Sequence, residues 1–337
     1  AREATGRPGG SPPGGAPTRT TGARPWWRRL KWRRVLLIFS VLVVLGLIGG
    51  YLWARSVWNR IDRVEVSEVL SDDGSGTNYL IVGSDSRANL GEGDAGFDPN
   101  ATAGGERSDT MMILHLEGGK AQMLSLPRDL YVEIADTGGD HAKLNSAYNE
   151  GPARLIKTVT GSLGIPVHHY MEVDFVSFAG LVDGLGGVTI DFENPAFDVK
   201  SGLYVNETGP VGLDGEQALA YVRSRTYTEV VNGQEQRDAT ADLGRIARQQ
   251  TFLRAVFAKL SDTKNPFALA SAFSGVADGL RIDDEMSMFD GLRLGWALRS
   301  VGTEPLDPLP VDMDRNESGA VLVLREDEAQ VILDQVR

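Results

Sequence analysis

Nineteen consecutive residues without a charge, Val35–Trp53, divide this chain into two chemically different parts. As a helix, such a run reaches across the hydrocarbon core of a bilayer. Arg28-Arg29-Leu30-Lys31-Trp32-Arg33-Arg34 directly precedes it. By the positive-inside rule this predicts a cytoplasmic N-terminus, with residues from about 55 onward outside. Trp26, Trp27 and Trp32 lie before the run, and Trp53 and Trp58 after it, where an aromatic belt belongs. A cleaved signal peptide fits less well. The run is long for one, and Tyr51, Leu52 and Trp53 are bulky where a cleavage site needs small residues.

Charge follows the same division. Residues 1–34 carry nine Arg or Lys against one Glu, about +8, while the whole chain carries −12, leaving about −20 for the remainder. The basic segment reads as a topology signal attracted to anionic lipid rather than as a nucleic-acid arm. Its first part, rich in Gly, Pro, Thr and Ala, cannot bury a core and reads as a disordered tail. The acidic exterior argues against a broad polyanion-binding face, so anion recognition there requires a local arginine pocket. The chain has no cysteine, which excludes a disulfide scaffold and a thiolate metal site. His115, His141, His168 and His169 show no ligand spacing. An exported, cysteine-free chain of this composition suggests a Gram-positive surface.

Beyond the run, residues 54–77 read as a linker or stalk. Asn78–Gly83 reads as a short buried strand, followed by Ser84-Asp85-Ser86-Arg87, and Ala88–Gly105 as a long loop. Two apolar runs, Met111–Leu116 and Ala121–Leu126, flank Glu117-Gly118-Gly119-Lys120. A Gly-Gly pair between such runs signals a hairpin. With a two-residue turn, Asp109 falls opposite Arg128 and Arg107 opposite Leu130, which carries both charged groups to one sheet end. Helical spacing covers Pro152–Leu163, His168–Val173 alternates like a strand, and Phe175–Leu185 reads as a helix. Val188–Phe192 reads as a strand, Asn194–Gly212 as loop, and Asp214 as the N-cap of Gly215–Val222. Thr226–Thr240 reads as a polar loop and Asp242–Leu260 as a strong helix. More helix is expected over Pro266–Leu298, late strands at Val311–Met313 and Ala320–Leu324, and a last helix at Asp327–Val336.

Arg87, Arg107, Arg128, Arg223, Arg225, Arg245 and Arg248 all fall at the ends of these elements, with Asp85 and Asp109 beside two of them. Arginine offers paired donors to phosphate and keeps its charge when partly buried. Paired Asp oxygens suit Mg²⁺, which bridges readily to phosphate. Such a pocket points to phosphoryl chemistry on a pyrophosphate; an ordinary salt-bridge network in a charged domain fits the same spacing. Neither a P-loop nor a Gly-x-Ser-x-Gly elbow is present.

Seven stretches, taken together, resemble the LytR-CpsA-Psr (LCP) family. They are VGSDSR at 82–87, RSDTMMIL at 107–114, LSLPRDLYV at 124–132, KLNSAYNEG at 143–151, VDFVSFAGLVDGLGGVTID at 173–191, LDGEQALAYVRSR at 213–225 and DLGRIARQQ at 242–250. The resemblance covers roughly residues 78–260, with residues 261–337 as a more loosely matching C-terminal part of the same domain. It implies an α/β fold: one extracytoplasmic α-β-α domain with a mixed central sheet, preceded by one transmembrane helix. It implies a transferase that moves a glycopolymer from a polyprenyl-pyrophosphate carrier to a peptidoglycan hydroxyl. A phosphodiester forms and polyprenyl phosphate leaves.

By the resemblance, Arg87, Arg107, Arg128, Arg223, Arg225, Arg245 and Arg248 hold the pyrophosphate, with Gln249 assisting. Asp85 and Asp109 position Mg²⁺, and Asp85 is favoured as base. Arg107 and Arg128 complete the catalytic set. Phe175, Phe178, Leu181, Phe252 and Val256 are candidates to line a pocket for the lipid chain. The implied partners are the lipid-linked glycopolymer, peptidoglycan and membrane lipid, with no nucleic acid. Two alternatives stay open: a pyrophosphatase acting on the same carrier with water, and a non-catalytic wall-binding or regulatory protein.

Overall fold

The computed structural model describes residues 26–84, 108–238, 242–298, 309–316 and 319–337. The chain separates into two units, residues 1–53 and 54–337. Helix α1 (Trp26–Trp58) contains the uncharged run, and its part from Trp32 is long and apolar enough to cross a membrane. The helix is longer than the run because neither Arg55 nor the flanking aromatic residues interrupt helical hydrogen bonding.

In the second unit, β1 (Asp62–Val64), β2 (Thr77–Ser84), β3 (Ser108–Glu117) and β4 (Lys120–Leu126) open a central sheet. There follow β5 (Tyr131–Glu133), β6 (His141–Lys143), α2 (Leu144–Tyr148), α3 (Pro152–Leu163), β7 (His169–Asp174) and α4 (Phe175–Gly184). Next come β8 (Val188–Phe192), β9 (Ala196–Asp198), β10 (Leu203–Val205), β11 (Gly209–Leu213), α5 (Gly215–Arg223), β12 (Thr228–Val231) and β13 (Gln234–Arg237). The last part holds α6 (Asp242–Asp262), α7 (Pro266–Val276), β14 (Leu280–Asp283), α8 (Met288–Ala297), β15 (Val311–Asn316), β16 (Gly319–Leu324) and α9 (Glu326–Leu333).

The central sheet runs β1-β14-β7-β2-β3-β4 and is mixed, with β1/β14 and β2/β7 parallel and the other pairs antiparallel. Successive strand residues point to opposite faces. Leu80, Val82 and Ile113 accordingly join Leu155, Ile156 and Val159 of α3 and Leu333 of α9 in one core. Tyr79, Leu114 and Leu116 join Phe257 of α6 and Leu294 of α8 in the core of the other face. Helices therefore cover both faces. A further core unites α4, α5 and α6 with the paired strands β8 and β11 and the small sheet β10-β9-β12-β13.

The β3–β4 hairpin has the expected register, from Met111 opposite Leu126 to Glu117 opposite Lys120. Gly118 and Gly119 both have positive φ, 56° and 83°, as the tight turn demands. The ladder ends at Leu126, so Asp109 and Arg128 are not a ladder pair. Pro127 cannot donate, and the chain turns there, with Leu130 N–H bonded to the Pro127 carbonyl at 3.1 Å.

Several expectations give way. Residues 54–77 are not simply a stalk: Val57 and Ile61 are buried in a core, and β1 pairs with β14 at the sheet edge. Asn194–Gly212 contains β9, β10 and most of β11. Thr226–Thr240 contains the β12–β13 hairpin, turned by Asn232 and Gly233 at φ 51° and 77°. The Pro266–Leu298 stretch holds β14 between its helices. These strands are three to five residues long and exist through their pairing partners, so the local pattern understates them.

Helices α4 and α7 touch backbone to backbone. A Cβ on Gly275 would meet the Gly180 carbonyl oxygen at 2.3 Å, and one on Gly180 would meet that of Gly275 at 2.5 Å. Gly275→Ala is expected to cost about 2 kcal/mol through forced overpacking. An unchanged urea midpoint with an unchanged slope would show that the two backbones are not in contact.

Candidate active site

The sheet topology gathers one edge. Because β2 and β7 are parallel, Ser84 and Asp174 end their strands as register neighbours, and Ser84 also faces Ser108 across a bulge at the start of β3. The exit of β4, leading to Pro127 and Arg128, lies at the same end because β4 runs antiparallel to β3. Asp174 is nearly buried there and caps α4, accepting from the Ser177 amide at 2.6 Å and the Ser177 hydroxyl at 3.1 Å.

Arg128 is half-buried; its Nε lies 3.4 Å from Asp129 Oδ2, while Asp129 Oδ1 receives Lys143 Nζ at 2.9 Å. The Arg128 carbonyl accepts the Asn145 amide at 3.0 Å, which ties this turn to α2. Asp85, Arg87 and Arg107 lie outside the described residues. Asp109 lies on β3, with its side chain outside the description. Among the described residues no group of three His, Cys, Asp or Glu is placed to hold a metal ion.

A second constellation forms where α5 ends and α6 begins. Asp214 and Gln217 start α5 with a reciprocal capping box, and the helix stops at Arg223 as Ser224 turns extended. Ser224 is fully buried. Its hydroxyl donates to Asp198 Oδ2 at 2.6 Å, and the same carboxylate takes the Thr226 amide at 2.7 Å and the Lys200 amide at 2.9 Å. Burial pushes the Asp198 carboxyl up, but the hydrogen bonds from Ser224, Thr226 and Lys200 outweigh it and hold it at about 2.

From the other side, Arg248 Nη1 meets Asp238 Oδ2 at 2.9 Å and Nη2 meets the Ser224 carbonyl at 2.9 Å. Its guanidinium lies 4.5 Å from the centre of the Tyr227 ring. Burial pushes the Tyr221 phenol up to about 12 and raises Tyr227 as well, so both rings beside Arg248 stay neutral. Arg245 and Gln249 share the first turns of α6 and are buried too; Gln249 Oε1 has no hydrogen-bond partner among the described residues. Arg223 is half-buried and Arg225 exposed.

The structure thus brings Arg223, Arg225, Arg245, Arg248 and Gln249 onto one junction. Arg248 serves it as a clamp, two of its nitrogens being engaged by protein. Asp198, Ser224, Tyr227 and Asp238 organise this junction and escaped sequence reasoning. Asp198 stands in an ordinary turn sequence, and its partners lie up to 28 residues further on.

Phe178 and Phe252 meet edge to face at 5.4 Å, in one apolar cluster with Leu181 and Val256; Phe175 opens α4, with its side chain outside the description. Concavities at Asp183–Lys259, about 390 Å³, and at Phe197–Tyr204, about 240 Å³, include none of these arginines or phenylalanines.

The family model for LytR_cpsA_psr matches residues 53–337, the whole second unit. The chain belongs to the LytR_cpsA_psr family. It is 31% identical over 292 residues to a probable cell wall biosynthesis protein LcpB of Corynebacterium glutamicum, covering 85% of this chain and 66% of that protein. It is 33% identical over 210 residues to TagU of Halalkalibacterium halodurans, a polyisoprenyl-teichoic acid–peptidoglycan teichoic acid transferase, covering 61% and 62%. The chain therefore spans about two thirds or less of these relatives' lengths.

Among solved structures, an LCP enzyme from Actinomyces oris matches with a TM-score of 0.64 at 23% identity, covering 82% of this chain and 96% of that one. TagT bound to LIIa-WTA matches with a TM-score of 0.57 at 22% identity, covering 81% and 98%. These likenesses establish the LCP fold, including the mixed sheet between helical layers.

Proposed function

We propose that this LCP protein is a membrane-anchored phosphotransferase. It moves a glycopolymer from a polyprenyl-pyrophosphate carrier to a peptidoglycan hydroxyl outside the cell, with its N-terminus in the cytoplasm. The observation that carries the reading is the arginine junction. A part of the chain with a net charge near −20 buries Arg245 and Arg248 at the head of one helix, beside Arg223 and Arg225. Arg248 is engaged by Asp238, and together the four guanidinium groups concentrate positive charge at one place on an acidic unit, where paired N–H donors suit a pyrophosphate. The names of the TagU relative and of the TagT complex support the same substrate class.

In the proposed reaction the acceptor hydroxyl oxygen attacks the phosphorus next to the glycopolymer. The bond from that phosphorus to the oxygen bridging to polyprenyl phosphate breaks, and the hydroxyl proton passes to a carboxylate, Asp85 in this reading. The arginines stabilise charge developing on the phosphoryl oxygens, where positioning and electrostatics do most of the work. Asp85 and Asp109 are the proposed Mg²⁺ holders; the bound ion would add charge neutralisation on the pyrophosphate.

The test uses the full chain in lipid nanodiscs with a polyprenyl-pyrophosphate-linked sugar. Release of polyprenyl phosphate is expected to require peptidoglycan fragments, to stop with EDTA and to return with Mg²⁺. Arg225→Ala, at an exposed position, is expected to slow release about tenfold, the loss of a charged hydrogen bond. Release without an acceptor would replace transfer by hydrolysis. No release under any metal condition would leave a binding protein.

A further inference from the structure

Helix α8 turns an apolar face outward. Phe289, Leu292 and Trp296 are 75%, 61% and 75% exposed, while Leu294 and Ala297 on the other side are buried. The spacing i, i+3, i+7 puts the three on one face. Single exposed apolar residues are ordinary, but three large ones aligned on a ten-residue helix form a surface that water does not favour.

The chain itself indicates what covers this face. Gly291, in the middle of α8, lies against the Trp58 ring so closely that a Cβ there would sit 2.4 Å from it. Trp58 in turn stacks on Phe273 at 6.3 Å, and Val57 and Ile61 on either side of it are buried in the same core. Helix α8 is thus fastened to the segment Val57–Ile61. Trp58 is five residues beyond Trp53, the last residue of the uncharged run. Five residues span at most about 18 Å of chain, whatever angle the domain adopts.

We propose that the Phe289, Leu292 and Trp296 face of α8 lies in the interface of the outer membrane leaflet, as a second, peripheral contact beside the α1 anchor. The inference rests on the reading of α1 as a membrane-spanning helix. Trp at the phosphate level and Phe and Leu just below it is the arrangement that interfacial helices use. Arg293 stands exposed beside Leu292, and Arg55 is exposed on the segment that leaves the run. Long cationic side chains of this kind reach lipid phosphates while their stems stay apolar. Asp284 and Asp290 are held by hydrogen bonds that favour their ionised form, and Glu285 is exposed, so the contact rests on the apolar side chains and the two arginines rather than on net charge. Two contacts rather than one tether restrict how the domain tilts over the bilayer, where a lipid-linked substrate must be met.

The absence of cysteine makes the test direct. Nitroxide labels are placed on Leu45→Cys, Leu292→Cys and Val331→Cys in the full chain, reconstituted in nanodiscs of phosphatidylcholine and phosphatidylglycerol. Collision with oxygen is compared with collision with a water-soluble nickel chelate. Val331 is exposed on α9 and serves as the aqueous reference, and Leu45 as the lipid reference. The expected result is an oxygen-to-nickel ratio at Leu292 several-fold above that at Val331 and below that at Leu45. A Leu292 ratio equal to that of Val331, with Leu45 in lipid, overturns the proposal and leaves the anchor intact. Leu292 shielded from both reagents means a protein partner covers the face, and this too overturns it. A water-like ratio at Leu45 removes the anchor and the proposal with it.

Discussion

Arg248→Ala is expected to destabilise the second unit, residues 54–337, by about 3 kcal/mol, the scale for breaking a buried ion pair by removing one partner. Arg248 is 7% exposed, and its loss leaves Asp238 without its 2.9 Å partner and the Ser224 carbonyl without its donor. It also empties the space over the Tyr227 ring. Arg248→Lys keeps the charge but offers a single ammonium, which cannot reach both acceptors and stack as a plane, so only partial recovery is expected. Urea unfolding followed by fluorescence measures the loss. A change under about 1 kcal/mol would place Arg248 among surface ion pairs of little consequence. Because the clamp holds the segment that carries Arg223 and Arg225, transfer activity is expected to fall even where Arg248→Ala remains folded.

Asp198 anchors the same segment from its opposite side, and Asp198→Ala is expected to cost about 3 kcal/mol at neutral pH. The residue is 1% exposed, and its removal leaves the Ser224 hydroxyl and the Thr226 and Lys200 amides unpaired. A pH dependence follows. The folded carboxyl titrates at about 2, below the ordinary 3.8, so the folded state favours the ionised form. Its contribution is complete above the unfolded value, and it is lost as pH falls through that value towards 2. Over this window the wild type is expected to lose about 2 kcal/mol that Asp198→Asn does not lose. Parallel acid profiles of the two proteins would remove Asp198 as the anchor. Since Asp198 and Arg248 both bind Ser224, their double mutant is expected to be less destabilised than the sum of the singles.

The outcome for the fold divides by the range of the interactions concerned. The Gly118-Gly119 turn fixes its own register because two adjacent residues must take positive φ, and every cross-strand pair then follows. Helix α3 was legible residue by residue. Pro152 sits where an N–H is dispensable, Gly164 ends the helix in the left-handed region, and Leu155, Ile156, Val159 and Leu163 all face the core. The β12–β13 hairpin had the same kind of signal in Asn232-Gly233. Its second strand, Gln234–Arg237, is exposed throughout and shows no alternation, so the turn was hidden in a polar stretch. Strands β1 and β14 had no local signal at all: β1 is held at the sheet edge by β14, and β14 lies between β1 and β7.

The sequence by itself determined the uncharged run, the hairpin register, the caps of α3 and α5 and the ordered motifs that name the family. All of these depend on residues within a few positions of one another. Only the tertiary structure decided that Arg248 clamps Ser224, that Asp198 carries the loop between two arginines, and that α8 shows its apolar face while resting on Trp58. Each of those depends on a partner distant in sequence: 24 residues away for Arg248, and up to 28 for Asp198. A residue's type fixes what it can donate or accept, but whether it does so is set by which distant group the folded chain brings within 3 Å.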